Sequence, residues 1–300
     1  MQERTVALVG FGRWGRVIFR DLTALGAAVV VSVPSDESRR RAEAAGAAAV
    51  VARVEDLPDA DGAVVATPTA THAEIVERLL DRFSVPVFVE KPLTSNVEDA
   101  RRIAVRAPDR VFVMDKWRYH PGIEALRDLG RSGRLGSITG LRSTRTQWGN
   151  QHGDVDGTWI LMPHDLALTR EILGAVPQPV MAFGHVDGLE VDLVAVLGRS
   201  PWVRVEVSTR FPIRRREVTV GFEGGAAWLG DAHDDRILVR PNGGEVEEIP
   251  IATEMPLLRE LRAFIAHLDG GPPPMSTGGE GAEVVEIIAA CRAMAGIDPS

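Results

Sequence analysis

The sequence predicts an α/β protein with an N-terminal doubly wound parallel sheet and a C-terminal α+β domain with an open, mostly antiparallel sheet. Short apolar segments alternate with helical segments over about the first 115 residues, which is typical of parallel strands covered on both faces. Later segments alternate apolar and polar residues, as strands with one exposed face do. A glycine-rich turn directly follows the first apolar segment. We place the two domains at 1–117 and 118–300.

Six strands are predicted in the first domain, one at each apolar run. They are TVALVGF, AAVVVSV, AAVVA, DGAVVATP, VPVFVEKP and RVFVMD. The helices predicted among them are GRVIFRDLTALG, DESRRRAEAAG, HAEIVERLLDR and SNVEDARRIAVRA. The first of these has one apolar face and is expected to end at Gly26, because glycine readily adopts the conformation that terminates a helix.

The second domain is predicted to begin with a helix followed by a turn in PGIEALRDLGRSGRLGSI, and to contain a further helix at PHDLALTREILG. A last helix is expected at about 280–295. The strand segments are SITGLRSTRTQW, VMAFGHVDGLEVDLVAVLG, WVRVEVSTRF, RREVTVGFEGGAAWLGD and DRILVRP. Val203, Val205 and Val207 are expected to face the core. VDLVAVL is apolar on both faces, which predicts a homodimer or homotetramer formed through this sheet.

Composition argues against several classes of partner. The net charge of −8 does not suit a nucleic-acid-binding protein, and we interpret the basic run 214–216 as a solvated strand end. No apolar run approaches the roughly 20 residues that span a bilayer, so no membrane partner is expected. Cys291, the only cysteine, excludes an internal disulfide and is predicted to be a buried packing residue. We interpret the chain as cytoplasmic.

The glycine turn Gly10–Gly15 has the G-x-G-x-x-G spacing of a dinucleotide site, and it joins a predicted strand to a predicted helix. In that arrangement the first glycine permits the tight turn, the second lets the backbone approach a pyrophosphate, and the third allows close packing of helix on strand. The helix N-terminus then favours the phosphates. The predicted binding residues in this turn are Gly10, Phe11, Gly12, Arg13, Trp14 and Gly15.

The end of the second strand bears on the choice between NAD and NADP. Sites that prefer NAD commonly place Asp or Glu there. In this sequence the corresponding position is one of Val33, Pro34 and Ser35, none of which is acidic. Ser35, Arg39 and Arg40 lie nearby and could hold a 2′-phosphate, although the adjacent Asp36 favours the opposite choice. We therefore expect NADP(H) in preference to NAD(H).

Only two of the 34 basic residues are lysines, Lys91 and Lys116. A retained lysine suggests a site that needs a compact ammonium able to donate a proton. Lys91 follows a predicted parallel strand, at the edge of the sheet where ligands bind. An ammonium there would stabilise the alkoxide that develops when a hydride moves to or from a carbon.

Five further segments resemble one family over nearly the whole chain. They are TPTATH (67–72), EKP (90–92), RYHPGIEALRDLGRSGRLGSI (118–138), PHDLALTREILG (163–174) and GEGAEVVEIIAACRAM (279–294). They resemble the glucose-fructose oxidoreductase, inositol dehydrogenase and rhizopine-catabolism (Gfo/Idh/MocA) family. The resemblance implies a Rossmann domain joined to an open-sheet domain. Members mostly act on sugars, sugar nucleotides and cyclitols; a minority act on imines, bilins or dihydrodiols, and a few are regulators.

The resemblance also implies roles for individual residues. Beside the glycines, the matching positions are Thr67, Pro68 and His72 near the nicotinamide ribose, Glu90, Lys91 and Pro92 with the lysine at the reacting carbon, Arg118 and Tyr119 near the substrate, and the catalytic His164. The peptide before the matching proline is often cis in the family. This chain departs from the pattern at Ile160, where the family usually has an aspartate four residues before the histidine.

These residues predict an NADP(H)-dependent oxidoreductase that acts on a sugar-like, nucleotide-linked or cyclitol substrate, with Lys91 and His164 as proton donor and acceptor groups. A reductase of imines or other non-sugar carbonyls, and a non-catalytic dinucleotide- or sugar-sensing regulator, remain open alternatives. The predicted substrate residues are Lys116, Arg118, Tyr119, Trp148 and His164. Phosphates of a linked nucleotide would require arginines, for which Arg142, Arg145 and Arg210 are candidates. We expect no metal, because His152 and Asp154 are too few ligands.

Overall fold

The structure is a computed structural model and describes residues 4–299. The chain divides into two compact units, of which the first comprises the residues up to Asp115 together with Leu257–Val285. Its six strands are β1 (Thr5–Val9), β2 (Ala28–Ser32), β3 (Ala49–Val51), β4 (Gly62–Val65), β5 (Val87–Glu90) and β6 (Val111–Met114). They form one parallel sheet in the order β3-β2-β1-β4-β5-β6, which confirms the predicted doubly wound sheet.

Four helices connect these strands: α1 (Arg13–Ala24), α2 (Asp36–Ala44), α3 (His72–Arg82) and α4 (Val97–Arg106). The central strands are buried on both faces, since Val6, Leu8 and Val64 have no exposed surface. This explains why they are continuous apolar runs. Helix α1 stops where the sequence predicted, because Gly26 takes a left-handed conformation with φ +85°.

The second unit comprises Lys116–Pro256 and the residues from Glu286 onward. Its helices are α5 (Pro121–Ser132) and α6 (Gly157–Leu173). Its strands are β7 (Ile138–Trp148), β8 (Pro179–Asp187), β9 (Glu190–Leu197), β10 (Trp202–Ser208), β11 (Arg210–Phe222), β12 (Gly225–Leu229), β13 (Arg236–Pro241) and β14 (Glu247–Pro250). They form one sheet in the order β14-β13-β12-β11-β7-β10-β9-β8, in which β7 and β10 pair in parallel and the other neighbours are antiparallel.

One face of this sheet forms the core of the second unit, and the prediction of an open, mostly antiparallel sheet is confirmed. Helix α6 packs on β7, β9 and β10, while α5 packs on β12 and β13. Val203, Val205 and Val207 are fully buried, as the alternation along β10 predicted. The opposite face carries polar residues, such as Arg204 and Glu206 on β10, and also the apolar Val194 and Val196 on β9.

Two further helices complete the chain, α7 (Pro256–Leu268) and α8 (Gly278–Met294). The predicted last helix is confirmed, but α7 and β14 were not predicted. The sequence-based division placed residues 257–285 in the second domain, whereas they cluster with the first unit. The physical reason is the apolar face of α7, which belongs to the same buried cluster as Val64, Phe88 and Phe112. Its members are Leu257, Leu261, Phe264 and Ile265.

The structure also describes the burial of Cys291 and the length and polarity of the helices. Cys291 is fully buried, as predicted, and burial raises the pKa of its thiol to about 12. Among residues 4–299, every helix is too short or too polar to traverse a lipid bilayer.

Candidate active site

Two glycines of the turn after β1 are required because backbone atoms of the protein lie too close to accommodate a Cβ atom. Gly10 has φ +100°, and a Cβ on it would lie 2.4 Å from the carbonyl oxygen of Ala66, just after β4. A Cβ on Gly15 would lie 2.3 Å from the carbonyl oxygen of Gly10. Both distances are far below van der Waals contact, so these glycines let the turn close against β4 and let α1 pack against the turn.

Gly12 differs from both neighbours, because neither its backbone nor its surroundings require glycine. Its φ of −72° and ψ of −159° are open to other residues, and a Cβ would meet no atom within 4 Å. Gly12 is the N-cap of α1, no side chain caps this helix end, and the first turn contains no acidic residue. An uncapped helix N-terminus facing open space fits the pyrophosphate of a dinucleotide.

The side chains of the residues next to Gly12 differ in how far they are exposed to solvent. Phe11 points into the core and packs edge-on against Phe19 at 5.4 Å between ring centroids, so only its backbone can face a ligand. Arg13 is exposed in the first turn of α1, and Trp14 is half-buried against the core.

The end of β2 holds a fixed guanidinium. Arg39 donates from Nη1 to the carbonyl oxygens of Pro34 at 2.6 Å and Val33 at 3.3 Å, and its Nη2 pairs with Asp36. Ser35 caps α2 by accepting a hydrogen bond from the backbone N–H of Ser38. The charge of Asp36 is therefore matched by Arg39, at the strand end where a dinucleotide's ribose 2′ substituent is read.

The loops after β4 and β5 are joined through His72. Its ring is 1% exposed, with Nε2 3.0 Å from the carbonyl oxygen of Thr67 and Nδ1 2.9 Å from that of Pro92. A neutral imidazole can donate to only one of these oxygens, whereas the imidazolium can donate to both. His72 therefore holds the two loops in register, and Thr67 and the exposed Pro68 lie on the first of them.

Lys91 lies on the second loop, directly after Glu90 at the end of β5. Its side chain is only 8% exposed, and the Lys91–Pro92 peptide is cis. The structure thus places a buried amine at the carboxyl edge of the sheet that also carries the glycine turn.

In the second unit, a short 3₁₀ helix at Lys116–Tyr119 precedes α5. Lys116 is half-buried and Tyr119 is buried. Arg118 donates from Nε to Glu171 at 3.1 Å, and Glu171 also pairs with Arg127. Arg118 therefore belongs to an ion-pair network that ties α5 to α6, which is a different setting from the predicted substrate contact.

His164 lies in the middle of α6 and is 9% exposed. Its ring centroid is 6.5 Å from that of Trp117, which in turn stacks on His120 at 5.0 Å. Ile160, one helical turn before His164, is a buried apolar residue, so the carboxylate expected there from the resemblance is absent. The next residue, Asp165, accepts hydrogen bonds from Ser143 and Arg145 on β7.

Trp148 is 74% exposed at the end of β7. Because side chains alternate along a strand, it points to the sheet face opposite Arg145. The structure therefore does not bring Trp148 together with His164. Among residues 4–299, no group of three His, Cys, Asp or Glu side chains is arranged to hold a metal ion.

The structure corrects the prediction for Arg216 and separates Arg145 from the other arginines considered for phosphates. The sequence predicts a solvated strand end for the run 214–216, but only Arg214 and Arg215 are exposed; Arg216 is half-buried. Its spacing from Val218 and Val220, both buried, is the signal that could have revealed this. Of the three arginines considered for phosphates, Arg145 alone is buried, and its guanidinium lies over the ring of Trp117.

Comparison with known proteins is consistent with this geometry. Residues 4–113 match the family model GFO_IDH_MocA, described as an oxidoreductase family with an NAD-binding Rossmann fold. Myo-inositol dehydrogenase Hyg17 of Streptomyces leeuwenhoekii is 28% identical over 305 residues, which cover 91% of each chain. UDP-N-acetylglucosamine 3-dehydrogenase of Acidithiobacillus ferrooxidans is 33% identical over 132 residues, 43% of this chain and 41% of that protein.

The solved structure of the Acidithiobacillus ferrooxidans enzyme, GnnA, superposes with a TM-score of 0.83 at 22% identity and covers 98% of each chain. The fold is therefore shared over both units. The glycine turn, the buried lysine after β5 and the matched family model lead to one conclusion: residues 4–113 form the NAD-binding Rossmann fold of the Gfo/Idh/MocA oxidoreductase family.

Proposed function

We propose that the protein is an NADP(H)-dependent oxidoreductase that moves a hydride between nicotinamide C4 and a carbonyl or carbinol carbon of a sugar or cyclitol, free or nucleotide-linked. The observation that carries the proposal is the open, uncapped turn at Gly12, on the same sheet edge as Lys91. The relatives named above act on myo-inositol and on UDP-N-acetylglucosamine, which supports a polyol-like substrate.

Residues of the chain would donate or accept the proton, while the coenzyme, when bound, supplies or accepts the hydride. The Lys91 ammonium is largely shielded from water, so it would stabilise an alkoxide more strongly than a solvated cation would. It would donate its proton to the substrate oxygen in reduction and take it back in oxidation. We propose His164 as the second proton-transferring group, because imidazole titrates near neutral pH.

A substrate panel tests this function. NADPH oxidation is followed with ketosugars and a cyclic imine, and NADP⁺ reduction with myo-inositol and UDP-N-acetylglucosamine. We expect turnover of a sugar or cyclitol. Turnover of the imine alone would contradict a sugar or cyclitol substrate and would indicate an imine reductase. Tight coenzyme binding without any turnover would indicate a sensor.

Arg39 is proposed to select NADP(H). Replacing it with glutamine (Arg39→Gln) should raise the KM for NADP(H) about 10- to 100-fold, the contribution of a charge-assisted hydrogen bond to the 2′-phosphate, and leave the KM for NAD(H) within a few fold. The matched control is Arg41→Gln, an arginine of the same helix whose ion pair with Glu37 is exposed. Equal changes for both coenzymes would contradict a role in selection.

We also propose that the second-unit sheet forms a homodimer or homotetramer. Met181 and Phe183 on its edge strand β8 are 45% and 68% exposed, as is typical of a contact surface. Sedimentation at micromolar concentration should give a dimer or larger species, and Phe183→Lys should shift it towards the monomer. A monomeric unmodified protein would contradict this interface.

A further inference from the structure

Arg145 is an unusually buried arginine, with 3% of its surface exposed. Alternation along β7 turns Ser143 and Arg145 towards α6, where both donate to Asp165. The Arg145 Nε lies 3.2 and 3.1 Å from the two carboxylate oxygens. The guanidinium carbon lies 4.3 Å from the ring centroid of Trp117. These contacts fix the plane and the direction of the guanidinium.

The outer edge of this guanidinium has no protein acceptor. Of its five N–H groups, only the one on Nε is used; within residues 4–299 the two Nη atoms make no hydrogen bond. Neither Nη atom is among the fully enclosed polar atoms that lack a partner, so each keeps some accessible surface. Buried polar groups are nearly always hydrogen-bonded, and this rigidly held donor edge is available to an acceptor outside the protein.

A second positive charge lies opposite the first. Arg216 on β11 is the direct cross-strand partner of Arg145. Its Nη1 donates to the carbonyl oxygen of Thr146 at 2.8 Å, and its Nη2 donates to Gln147. Burial, and then the charges of Arg145 and Arg214, lower the pKa of Arg216 to about 10, so it remains charged at neutral pH.

Arg145 and Arg216 carry two positive charges, and only one of the described carboxylates, that of Asp165, is paired with them. Asp165 accepts from Arg145, whereas Arg216 forms no ion pair with any described carboxylate, and Arg214 is already paired with Asp231 at 2.9 Å. Like charges at directly opposed positions destabilise a sheet. Their retention on a half-buried face is explained if an anion lies against them.

We propose that Arg145 and Arg216 bind an oxyanion of the substrate, a carboxylate or a phosphate carried by the sugar or cyclitol. The fork of a guanidinium matches both groups through paired N–H donors. Trp117 contacts Arg145 on one side and lies 6.5 Å from His164, so the anion site adjoins the proposed proton-transferring residue. The inference rests on the proposed function for the identity of the sugar, but anion binding itself can be measured without turnover.

The test is a calorimetric titration with four probes, with and without NADP⁺: myo-inositol and D-glucose as neutral probes, D-glucuronate for a carboxylate and D-glucose 6-phosphate for a phosphate. At least one anionic probe should bind about 10- to 100-fold more tightly than D-glucose, the effect of a charge-assisted hydrogen bond. Comparison of glucuronate with the phosphate identifies the oxyanion.

Three variants locate the site. Arg216→Gln should weaken binding of the preferred anion at least about 10-fold. The melting temperature should change little, because the lost hydrogen bonds to Thr146 and Gln147 are offset by removal of a buried charge that has no carboxylate partner. Arg145→Lys keeps the charge beside Asp165 but removes the fork, and should weaken binding similarly. The control is Arg215→Gln, the neighbouring exposed arginine on the opposite face of β11.

Anion affinity that is unchanged in Arg216→Gln would overturn the proposal, and so would a preference for the neutral probes or failure of both anions to bind under both conditions. Anion binding that depends on Arg216 in a protein without oxidoreductase activity would support the site and overturn only the proposed hydride transfer.

Discussion

Replacing Lys91 with methionine should lower kcat at least about 100-fold, the typical contribution of a positioned proton donor, while the Kd for NADP(H) stays within a few fold. Methionine keeps the apolar stem of this 8%-exposed side chain but removes the ammonium. The expected loss arises because a developing alkoxide would no longer have a nearby positive charge or a proton source. The measurement is steady-state kinetics together with a fluorescence titration of reduced coenzyme.

Coenzyme binding is the internal control in that experiment, because it shows that the loop after β5 is still folded. His72 provides a second check: it bonds the Lys91–Pro92 loop to the Thr67 loop, so a displaced loop would also weaken coenzyme binding. A Lys91→Met protein with undiminished kcat would remove this residue from the chemistry.

The second large effect is expected at the glycine turn, where two substitutions should separate binding from folding. Gly12→Ala should weaken coenzyme binding at least about 10-fold, because a methyl group would occupy the space that the pyrophosphate approaches. Its effect on the free energy of unfolding should stay within about 1 kcal/mol, since only the preference of a helix N-cap position changes. Both quantities are measured on the same preparation, by calorimetry and by urea denaturation.

Gly15→Ala is the matched comparison. Its new Cβ would meet the carbonyl oxygen of Gly10 at 2.3 Å, so the protein should lose about 1–3 kcal/mol or more of stability through overpacking. The two glycines would then have distinct roles, one towards a ligand and one towards the fold. Normal coenzyme affinity in Gly12→Ala would contradict the proposed pyrophosphate position.

Much of the first unit could be predicted because its signals are local. Apolar runs and helical periodicity identify parallel strands and their crossovers, and the glycine spacing locates the turn within six residues. The position of Lys91 follows from the strand before it. Even α7 has a readable face, with Leu257, Leu261, Phe264 and Ile265 at helical spacing; what the sequence cannot reveal is that this face joins a sheet formed more than 140 residues earlier.

The second-unit site depends on pairings that local patterns do not contain. Arg145 and Asp165 are 20 residues apart and meet because α6 crosses β7, while Arg145 and Arg216 meet through the register of β7 with β11. Reading Arg214–Arg216 as one basic run concealed the alternation that separates Arg216 from its neighbours. Trp117 has no local signal in the sequence, because its ring packs on side chains from three separate segments of chain.

We propose that a pyridine nucleotide binds at the carboxyl edge of the parallel sheet, against the open turn at Gly12. Isothermal titration calorimetry of the unmodified protein with NADPH, NADP⁺, NADH and NAD⁺ tests it most directly. We expect saturable binding of stoichiometry near one per chain, tighter for the phosphorylated coenzymes. Folded protein that binds none of the four would contradict the account.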